Sequence, residues 1–252
     1  MSSPLALQGT PEEIWARWTA NVEQWCRFVR DGHDVHWDEL HGRALLTACG
    51  PVSGLRVLDI GCGEGRCARA LAERGALVAG IDVCEAMVEK ARTHPDQASQ
   101  QIDFRVMNAV DVHRHVWTVP FGLVTAPMVL HDMPDPAAAL AAAAHVLGTR
   151  GRMVLSIPHP AWYVAGGEDY FATACEDHAW DVPQLGEPLS TLRWRRSLEE
   201  YAGMVRAAGF VIDDMQEPRA TPAQIDKHER LSRAGRVPCA LILVLSLANS
   251  GR

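Results

Sequence analysis

The sequence predicts an α/β fold in which a mostly parallel β-sheet is covered by helices on both faces. Apolar runs of strand length alternate with segments of helical period along the chain, and this order is typical of parallel sheets. The clearest unit is the stretch 57–76, where an apolar strand leads into a turn with three glycines and then into a helix that Gly75 ends. A chain of 252 residues is long enough for one domain with a sizeable core.

Seven apolar runs predict strands, and capping patterns predict where helices begin. The predicted strands are 57–60, 76–81, 102–107, 121–127, 151–157, 210–212 and 239–245. Besides the helix after the glycine turn, helices are expected to begin after the cap residues Thr10, Asp135, Ser197 and Thr221. We therefore expect a single domain that consists of an amino-terminal helical segment (1–50), a core (51–160), an insertion (161–195) and a carboxy-terminal helix with a strand pair (196–252).

Composition narrows the possible partners. The net charge of −7 argues against nucleic acid, because binding to a phosphate backbone needs a basic face. No apolar run reaches the roughly 20 residues that span a bilayer, and the amino terminus lacks a signal-peptide pattern. The seven cysteines show no C-x-x-C or zinc spacing, so we expect reduced cysteines and no metal site in a cytoplasmic protein. Either a monomer or a homodimer is expected, with no membrane partner.

The glycine turn carries the most specific functional signal. Gly61, Gly63 and Gly65 have the spacing G-x-G-x-G, and Arg66 stands where the dinucleotide fingerprint G-x-G-x-x-G needs its last glycine. Asp59 precedes the turn, and its carboxylate would attract a cation rather than a pyrophosphate. The turn at the start of a helix allows a ligand to approach the backbone closely. The pattern therefore indicates a nucleotide-type cofactor that carries positive charge.

These residues, in the order VLDIGCGEG, resemble the first motif of the class I S-adenosylmethionine (SAM)-dependent methyltransferases. The resemblance covers roughly residues 50–160, and the two carboxy-terminal strands more loosely. It implies a Rossmann-like sheet of seven mostly parallel strands with the last strand antiparallel, and an amino-terminal helical lid. It also implies SAM as cofactor, S-adenosylhomocysteine as product and a small-molecule substrate.

The resemblance assigns cofactor contacts along the strand ends. Asp82, after the second strand, would accept both ribose hydroxyls, although a helix-cap role is the simpler alternative. Val83 and Met87 would flank the adenine. Asn108 would accept from the adenine amine, in place of the acidic residue usual in the family. The expected cofactor-binding set is Asp59, Gly61, Cys62, Gly63, Asp82, Val83, Met87, Asn108, Ala109, Val110, Ala126 and Pro127.

Two segments outside the core are candidates to cover the substrate. The helix after Thr10 carries Trp18 on an apolar stripe, and it either closes the site as a lid or only packs on the core. Residues 161–190 show no clear period, and a long irregular segment inside a domain is usually functional. There Trp162 and Tyr163 would shape an apolar acceptor pocket. Two further groups are expected at the solvated surface, namely His33, His36 and His41, and Arg193, Arg195 and Arg196, one of which could pair with an acidic substrate group.

Methyl transfer to a hydroxyl, a protonated amine or a C–H acid needs a base, and two histidines are candidates. His131 follows the fourth strand, and its alternative role is to orient the loop or bind the cofactor. His159 follows the fifth strand between two prolines, and its alternative is a structural turn residue. The sequence does not choose between an O, N or C acceptor.

The leading hypothesis is a SAM-dependent methyltransferase that acts on a small molecule. The alternative is a protein of the same fold that uses the bound cofactor structurally, for cyclisation or pericyclic chemistry, and transfers no methyl group.

Overall fold

The structure is a computed structural model, and it describes residues 9–95, 101–164, 167, 169–180, 185–186 and 188–248. The strands are β1 (Arg56–Ile60), β2 (Leu77–Asp82), β3 (Asp103–Val106), β4 (Phe121–Pro127), β5 (Leu147–Pro158), β6 (Ala174–Trp180), β7 (Leu189–Arg195), β8 (Phe210–Gln216) and β9 (Ala240–Leu247). The helices are α1 (Pro11–Arg30), α2 (Gly42–Ala48), α3 (Arg66–Ala72), α4 (Glu85–Arg92), α5 (Pro136–Val146), α6 (Pro160–Val164), α7 (Leu198–Ala207) and α8 (Pro222–Lys227).

The main sheet has seven strands in the order β3-β2-β1-β4-β5-β9-β8. Strands β1 to β5 pair in parallel, whereas β9 runs antiparallel to both β5 and β8. The predicted seven-stranded, mostly parallel sheet with an antiparallel last strand is therefore confirmed. Because the strand order reverses between β1 and β4, a crevice forms at the carboxyl ends of these strands, where ligands bind in open α/β sheets.

Alternation along the strands builds an apolar core on each face of the sheet. Val57 and Leu123 contribute to one buried cluster, with Leu45 and Leu71 of the helices. Leu58 belongs to the other cluster, on the opposite face, because successive side chains of a strand point to opposite faces. Apolar packing thus covers both faces of the sheet, while Asp59 and Asp82 lie at the carboxyl ends of β1 and β2.

Helix boundaries follow the predicted caps. Thr10, Ser197 and Thr221 each form a capping box with the residue three positions later, and Asp135 accepts a hydrogen bond from the Ala138 N–H at 3.0 Å. These contacts satisfy amide groups that the first helical turn leaves unpaired. In the described part of the chain, no helix is both long and apolar enough to cross a membrane.

Residues 161–190 correct the expectation of a segment without a period. They include all but the first residue of α6 and the whole of β6, which pairs with β7 in an antiparallel hairpin where Glu176 lies opposite Arg193. The strand signal was obscured because the hairpin carries charged residues that find their partners across the strands. In addition, β5 begins at Leu147 rather than at Gly151.

Candidate active site

A cavity of about 790 Å³ lies at the carboxyl edge of the sheet, within the size range of ligand pockets. Strand ends, helix α1, the turn Trp37–His41 and the β6–β7 hairpin all contribute to its lining. We use the name strand wall for the residues at or just after the carboxyl ends of β1, β2 and β3, represented by Asp59, Gly61, Gly63, Asp82 and Asn108. The hairpin wall is formed by Trp18, His131, Asp132, His178 and Arg193.

The cavity brings together eleven of the twelve residues expected to bind the cofactor. They are Asp59, Gly61, Cys62, Gly63, Asp82, Val83, Met87, Asn108, Ala109, Val110 and Pro127. Ala126 is the exception and corrects the prediction. Its side chain is fully buried in the apolar cluster that contains Leu58, because strand alternation turns it away from the face that Thr125 and Pro127 share.

The glycine turn requires glycine for two different reasons. Gly61 has φ +67°, and a Cβ there would lie 2.3 Å from Val129 Cγ2. Gly63 has φ +54°, and a Cβ would meet no atom within 4 Å, so this backbone borders open space in the cavity. Positive φ disfavours other residues at both positions. Gly61 therefore permits close packing, whereas Gly63 leaves room for a ligand against the backbone.

Asp59 is buried at the base of the strand wall. Its Oδ1 accepts a hydrogen bond from Thr125 Oγ1 at 2.7 Å, and the side chain has no solvent-exposed surface. Burial raises the pKa of this carboxyl to about 7, because a charged group loses its hydration in the interior. A cationic ligand beside Asp59 would favour the ionised form.

Asp82 organises the glycine turn and also faces the cavity. Its Oδ2 accepts from the Gly63 N–H at 2.9 Å, and its Oδ1 accepts from the Cys84 N–H at 2.8 Å. Burial raises the pKa of this carboxyl. A carboxylate oxygen can accept more than one hydrogen bond, so the cap role and the predicted ribose contact are compatible.

Asn108 forms a local cap in this structure. Its Oδ1 accepts from the Val110 N–H at 3.2 Å and so closes the start of the 3-10 turn Ala109–Arg114. The Val110 N–H is engaged by this bond, which weakens its candidacy as a partner for an adenine nitrogen. The second lone pair of Asn108 Oδ1 can still accept from an amine, so that role stays a prediction.

The hairpin wall contains the first candidate base. His131 is buried, and its Nε2 lies 3.3 Å from Asp132 Oδ1. Trp18 of α1 donates a hydrogen bond to the Asp132 carboxyl, whose pKa is raised well above its ordinary value by burial. Burial, followed by the charge of Arg193, lowers the pKa of His131 to about 3. The imidazole is therefore neutral near pH 7 and can accept a hydrogen bond or a proton.

His159 and Tyr163 lie outside the cavity lining, which corrects both predictions. The His159 ring is held by the Ala161 N–H at Nδ1 (3.0 Å) and by Glu217 Oε1, 2.7 Å from Nε2. Tyr163 is buried behind the hairpin wall, where its ring packs under the Arg193 guanidinium, 4.3 Å from Cζ to the ring centre. Trp162 does line the cavity, as predicted.

Three of the six side chains expected at the surface line the cavity instead, namely His36, His41 and Arg193. Arg196 is buried elsewhere, whereas His33 and Arg195 do not line the cavity. His178 of the hairpin, which no sequence pattern singled out, also lines it. None of these lining residues belongs to a sequence motif, and only the hairpin pairing and the docking of the amino-terminal segment bring them to the site.

The amino-terminal segment is fastened to the rest of the site by polar contacts. Arg17 of α1 donates to Ser190 Oγ at 2.7 Å and to Asp177 Oδ2 at 2.9 Å in the hairpin. Arg66, at the start of α3, pairs with Asp34 Oδ2 at 3.0 Å. The amino-terminal segment and the β6–β7 hairpin therefore cover the carboxyl ends of the strands together.

The comparison with known protein families agrees with this site. The family described as a methyltransferase domain matches residues 33–214. The chain belongs to this family. Related proteins include the ubiquinone biosynthesis O-methyltransferase of Xylella fastidiosa, 39% identical over 174 residues that cover 68% of this chain and 67% of the relative. The enzyme of the same name from Xanthomonas oryzae pv. oryzae is 32% identical over 188 residues, which cover 67% of this chain and 78% of the relative.

Solved structures share the fold of this methyltransferase. An S-adenosylmethionine dependent methyltransferase from Mesorhizobium loti superposes with a TM-score of 0.62 at 24% identity, over 81% of this chain and 95% of the other. The cyclase SpnF superposes with a TM-score of 0.55 at 19% identity, over 81% of this chain and 80% of the other. At such identities the likeness concerns the fold alone. The family membership, the named relatives and the fold together make the chain a SAM-dependent methyltransferase of the Rossmann-like class.

The strand wall fits SAM as the cofactor. The open space beside Gly63 accommodates a ligand against the backbone, Asp82 supplies acceptors at the end of β2, and the buried Asp59 complements a positive charge. Asp82 is compatible with any nucleoside ribose, whereas the carboxyl of Asp59 beside the glycine turn favours a positive charge over the phosphates of a dinucleotide.

Proposed function

We propose that this methyltransferase transfers a methyl group from SAM to a hydroxyl oxygen of a small molecule held between the strand wall and the hairpin wall. The observation that carries the proposal is the buried, neutral His131 on the wall of a cavity that α1 and the hairpin cover. The related O-methyltransferases support oxygen as the acceptor atom. A covered cavity suits a small molecule better than an extended macromolecule.

Bound SAM supplies a methyl group that is already electrophilic, so the protein mainly has to align the reactants and exclude water. The glycine turn, Asp59 and Asp82 hold the cofactor. Helix α1 and the hairpin shield the cavity and position the acceptor hydroxyl beside His131. As the oxygen–methyl bond forms, His131 receives the hydroxyl proton and later releases it to solvent. The products are a methyl ether and S-adenosylhomocysteine.

The low pKa of His131 has a consequence for the kind of hydroxyl that it can serve. A buried imidazole near positive charge is a weak base, so proton transfer is favoured most when the hydroxyl is itself acidic. The Nδ1 atom is buried and accepts no hydrogen bond from the described residues. A substrate hydroxyl that donates a hydrogen bond to Nδ1 would remove the free-energy cost of this unpaired polar atom, about 1–3 kcal/mol. Phenolic and enolic hydroxyls therefore suit the site better than alkyl alcohols.

The test is incubation with methyl-labelled SAM and a library of hydroxylated small molecules, followed by mass analysis of products and cofactor. Label in an ether of a library member, with an equal amount of S-adenosylhomocysteine, is the expected result. Label on nitrogen or carbon would contradict the choice of oxygen. Conversion of a library member with SAM unconsumed would contradict methyl transfer and favour a structural use of the cofactor.

A further inference from the structure

A guanidinium group lies on the cavity wall in a position that methyl transfer does not explain. Arg193 of β7 lines the cavity, and its side chain is only 12% exposed. A buried charge is costly unless it is paired and hydrogen-bonded. Its presence beside the reacting region therefore needs a reason, since the alignment of methyl and hydroxyl does not require a cation.

Neighbouring side chains hold Arg193 on one edge and one face. Its Nε donates to Glu176 Oε1 at 2.8 Å, and its Nη2 lies 2.7 Å from the same oxygen. The Tyr163 ring supports the guanidinium plane, at 4.3 Å from Cζ. No described residue accepts a hydrogen bond from Nη1, on the other edge. These contacts fix the orientation of the Arg193 guanidinium and leave N–H donors on its Nη1 edge for a ligand.

The local charge balance is positive. Glu176 also binds Arg195, whose Nε lies 2.8 Å from Oε2, so a single carboxylate serves two guanidinium groups and leaves one positive charge. Burial lowers the pKa of His178 to about 4, so this imidazole is neutral near pH 7. Burial also raises the pKa of the nearby Asp132 carboxyl, which favours its uncharged form.

An apolar surface adjoins this charge. Helix α1 contributes Ile14, Trp15 and Trp18 to the cavity lining, and α1 packs against β7 through Arg17 and Asn21. A ligand that complements these surfaces carries a negative charge on an apolar, preferably aromatic, body.

We propose that Arg193 binds a carboxylate of the acceptor, so that the substrates are aromatic carboxylic acids with a separate hydroxyl that receives the methyl group. This proposal rests on the proposed function and specifies its substrate class. The carboxylate binds through the free edge of the fork and the aromatic body packs against α1. Arg193 is then the specificity residue of the acceptor site, and Glu176 and Tyr163 are its positioning residues.

The test compares binding of matched acids and amides, which differ in charge but little in shape. The probes are 4-hydroxybenzoate and 4-hydroxycinnamate, each with its primary amide, titrated calorimetrically into protein saturated with S-adenosylhomocysteine. We expect at least one acid to bind about 10- to 100-fold tighter than its amide, the range for a charge-assisted hydrogen bond. Arg193→Met should abolish this preference, and Arg193→Lys should restore part of it.

Arg195→Met is the matched control, because Arg195 binds the same Glu176 but does not line the cavity. It should keep most of the preference for acids. Affinity for S-adenosylhomocysteine and the melting temperature are measured on every variant, so that loss of folding is recognised. Equal binding of acids and amides by the native protein, no binding of any acid, or a preference that survives Arg193→Met would each overturn the proposal.

The binding experiment is independent of turnover, so it separates the two proposals. If acids bind more tightly than amides but no label is transferred, the proposed function is wrong and the carboxylate site at Arg193 is supported. If label is transferred equally to neutral phenols and to acids, the proposed function is supported and the carboxylate site is wrong.

Discussion

The two walls of the cavity differ in charge and in how the chain builds them. The strand wall holds the carboxyl groups of Asp59 and Asp82, and all of its named residues except Asn108 come from one continuous stretch between β1 and the end of β2. The hairpin wall holds the Arg193 guanidinium and the neutral imidazoles of His131 and His178. Together with Trp18, these residues come from three separate segments, namely α1, the turn after β4 and the hairpin. Under the proposed function, the acids of the strand wall face a cationic cofactor and the imidazole of His131 faces the acceptor. The contrast indicates that cofactor and acceptor recognition depend on separate residues, which substitutions can test one wall at a time.

Gly61→Ala should have the largest effect and should damage the strand wall. Left-handed backbone strain and the clash with Val129 together predict a loss of about 2–4 kcal/mol in the free energy of unfolding. Binding of S-adenosylhomocysteine should be lost with it. Chemical denaturation and calorimetry measure the two effects. Gly63→Ala is the control, because its Cβ meets no atom, and a loss of stability as large as that of Gly61→Ala would refute the packing argument.

His131→Gln should break the hairpin wall alone. Removal of a general base predicts a fall in kcat of about 10²- to 10³-fold, with binding of S-adenosylhomocysteine unchanged. His159→Gln is matched in chemistry and burial but lies outside the cavity, so its kcat should stay within about threefold of the native value, as expected for a group that does not touch the reactants. An equal loss of kcat in both variants would contradict the assignment of His131 as the base.

Asp82→Ala should weaken the strand wall with a smaller effect. Loss of charge-assisted hydrogen bonds predicts about 10- to 100-fold weaker binding of SAM and S-adenosylhomocysteine, which calorimetry measures. Asp103→Ala, at an exposed ion pair with Arg105, provides the control and should bind both ligands normally. Native affinity in the Asp82 variant would show that the carboxyl serves only to cap the turn.

The pH dependence of SAM binding should show the smallest effect and should come from Asp59. Its pKa is about 7 in the free protein, and a cationic ligand favours the ionised carboxylate. Binding therefore releases a proton, and affinity should rise about tenfold from pH 6 to pH 7.5. Calorimetry in buffers of different ionisation enthalpy measures the released proton. Asp59→Asn should flatten this profile, and a flat profile in the native protein would contradict the assignment.

Fold stability should change with pH in the opposite direction through the same group. The folded-state pKa of Asp59 lies above the ordinary value of 3.8, so the protonated carboxyl contributes stability that is fully present below that value. This contribution is lost as the pH rises through about 7. Denaturation of Asp59→Asn at pH 5 and pH 8 isolates it.

Sequence patterns predicted the strand wall well because its structure is local. The alternation of β1, the glycines of positive φ and the acid at the end of β2 lie within one strand–helix–strand unit, where backbone preferences act directly. The position of Ala126 at a strand end does not reveal which face of the sheet its side chain lies on. Likewise, the position of His159 just after a strand does not reveal the direction of its side chain, which points to Glu217 and not into the cavity.

The strands, the caps and the cofactor class were thus within reach of the sequence alone, since they depend on residue spacing and local conformational preference. The hairpin wall was not, because it depends on contacts between residues far apart in the chain. Glu176 orients Arg193 only after β6 pairs with β7, and Trp18 reaches Asp132 only after α1 docks. Burial then shifts the charge states, since desolvation lowers the pKa of His131 to about 3 and raises the pKa of Asp132 well above its ordinary value.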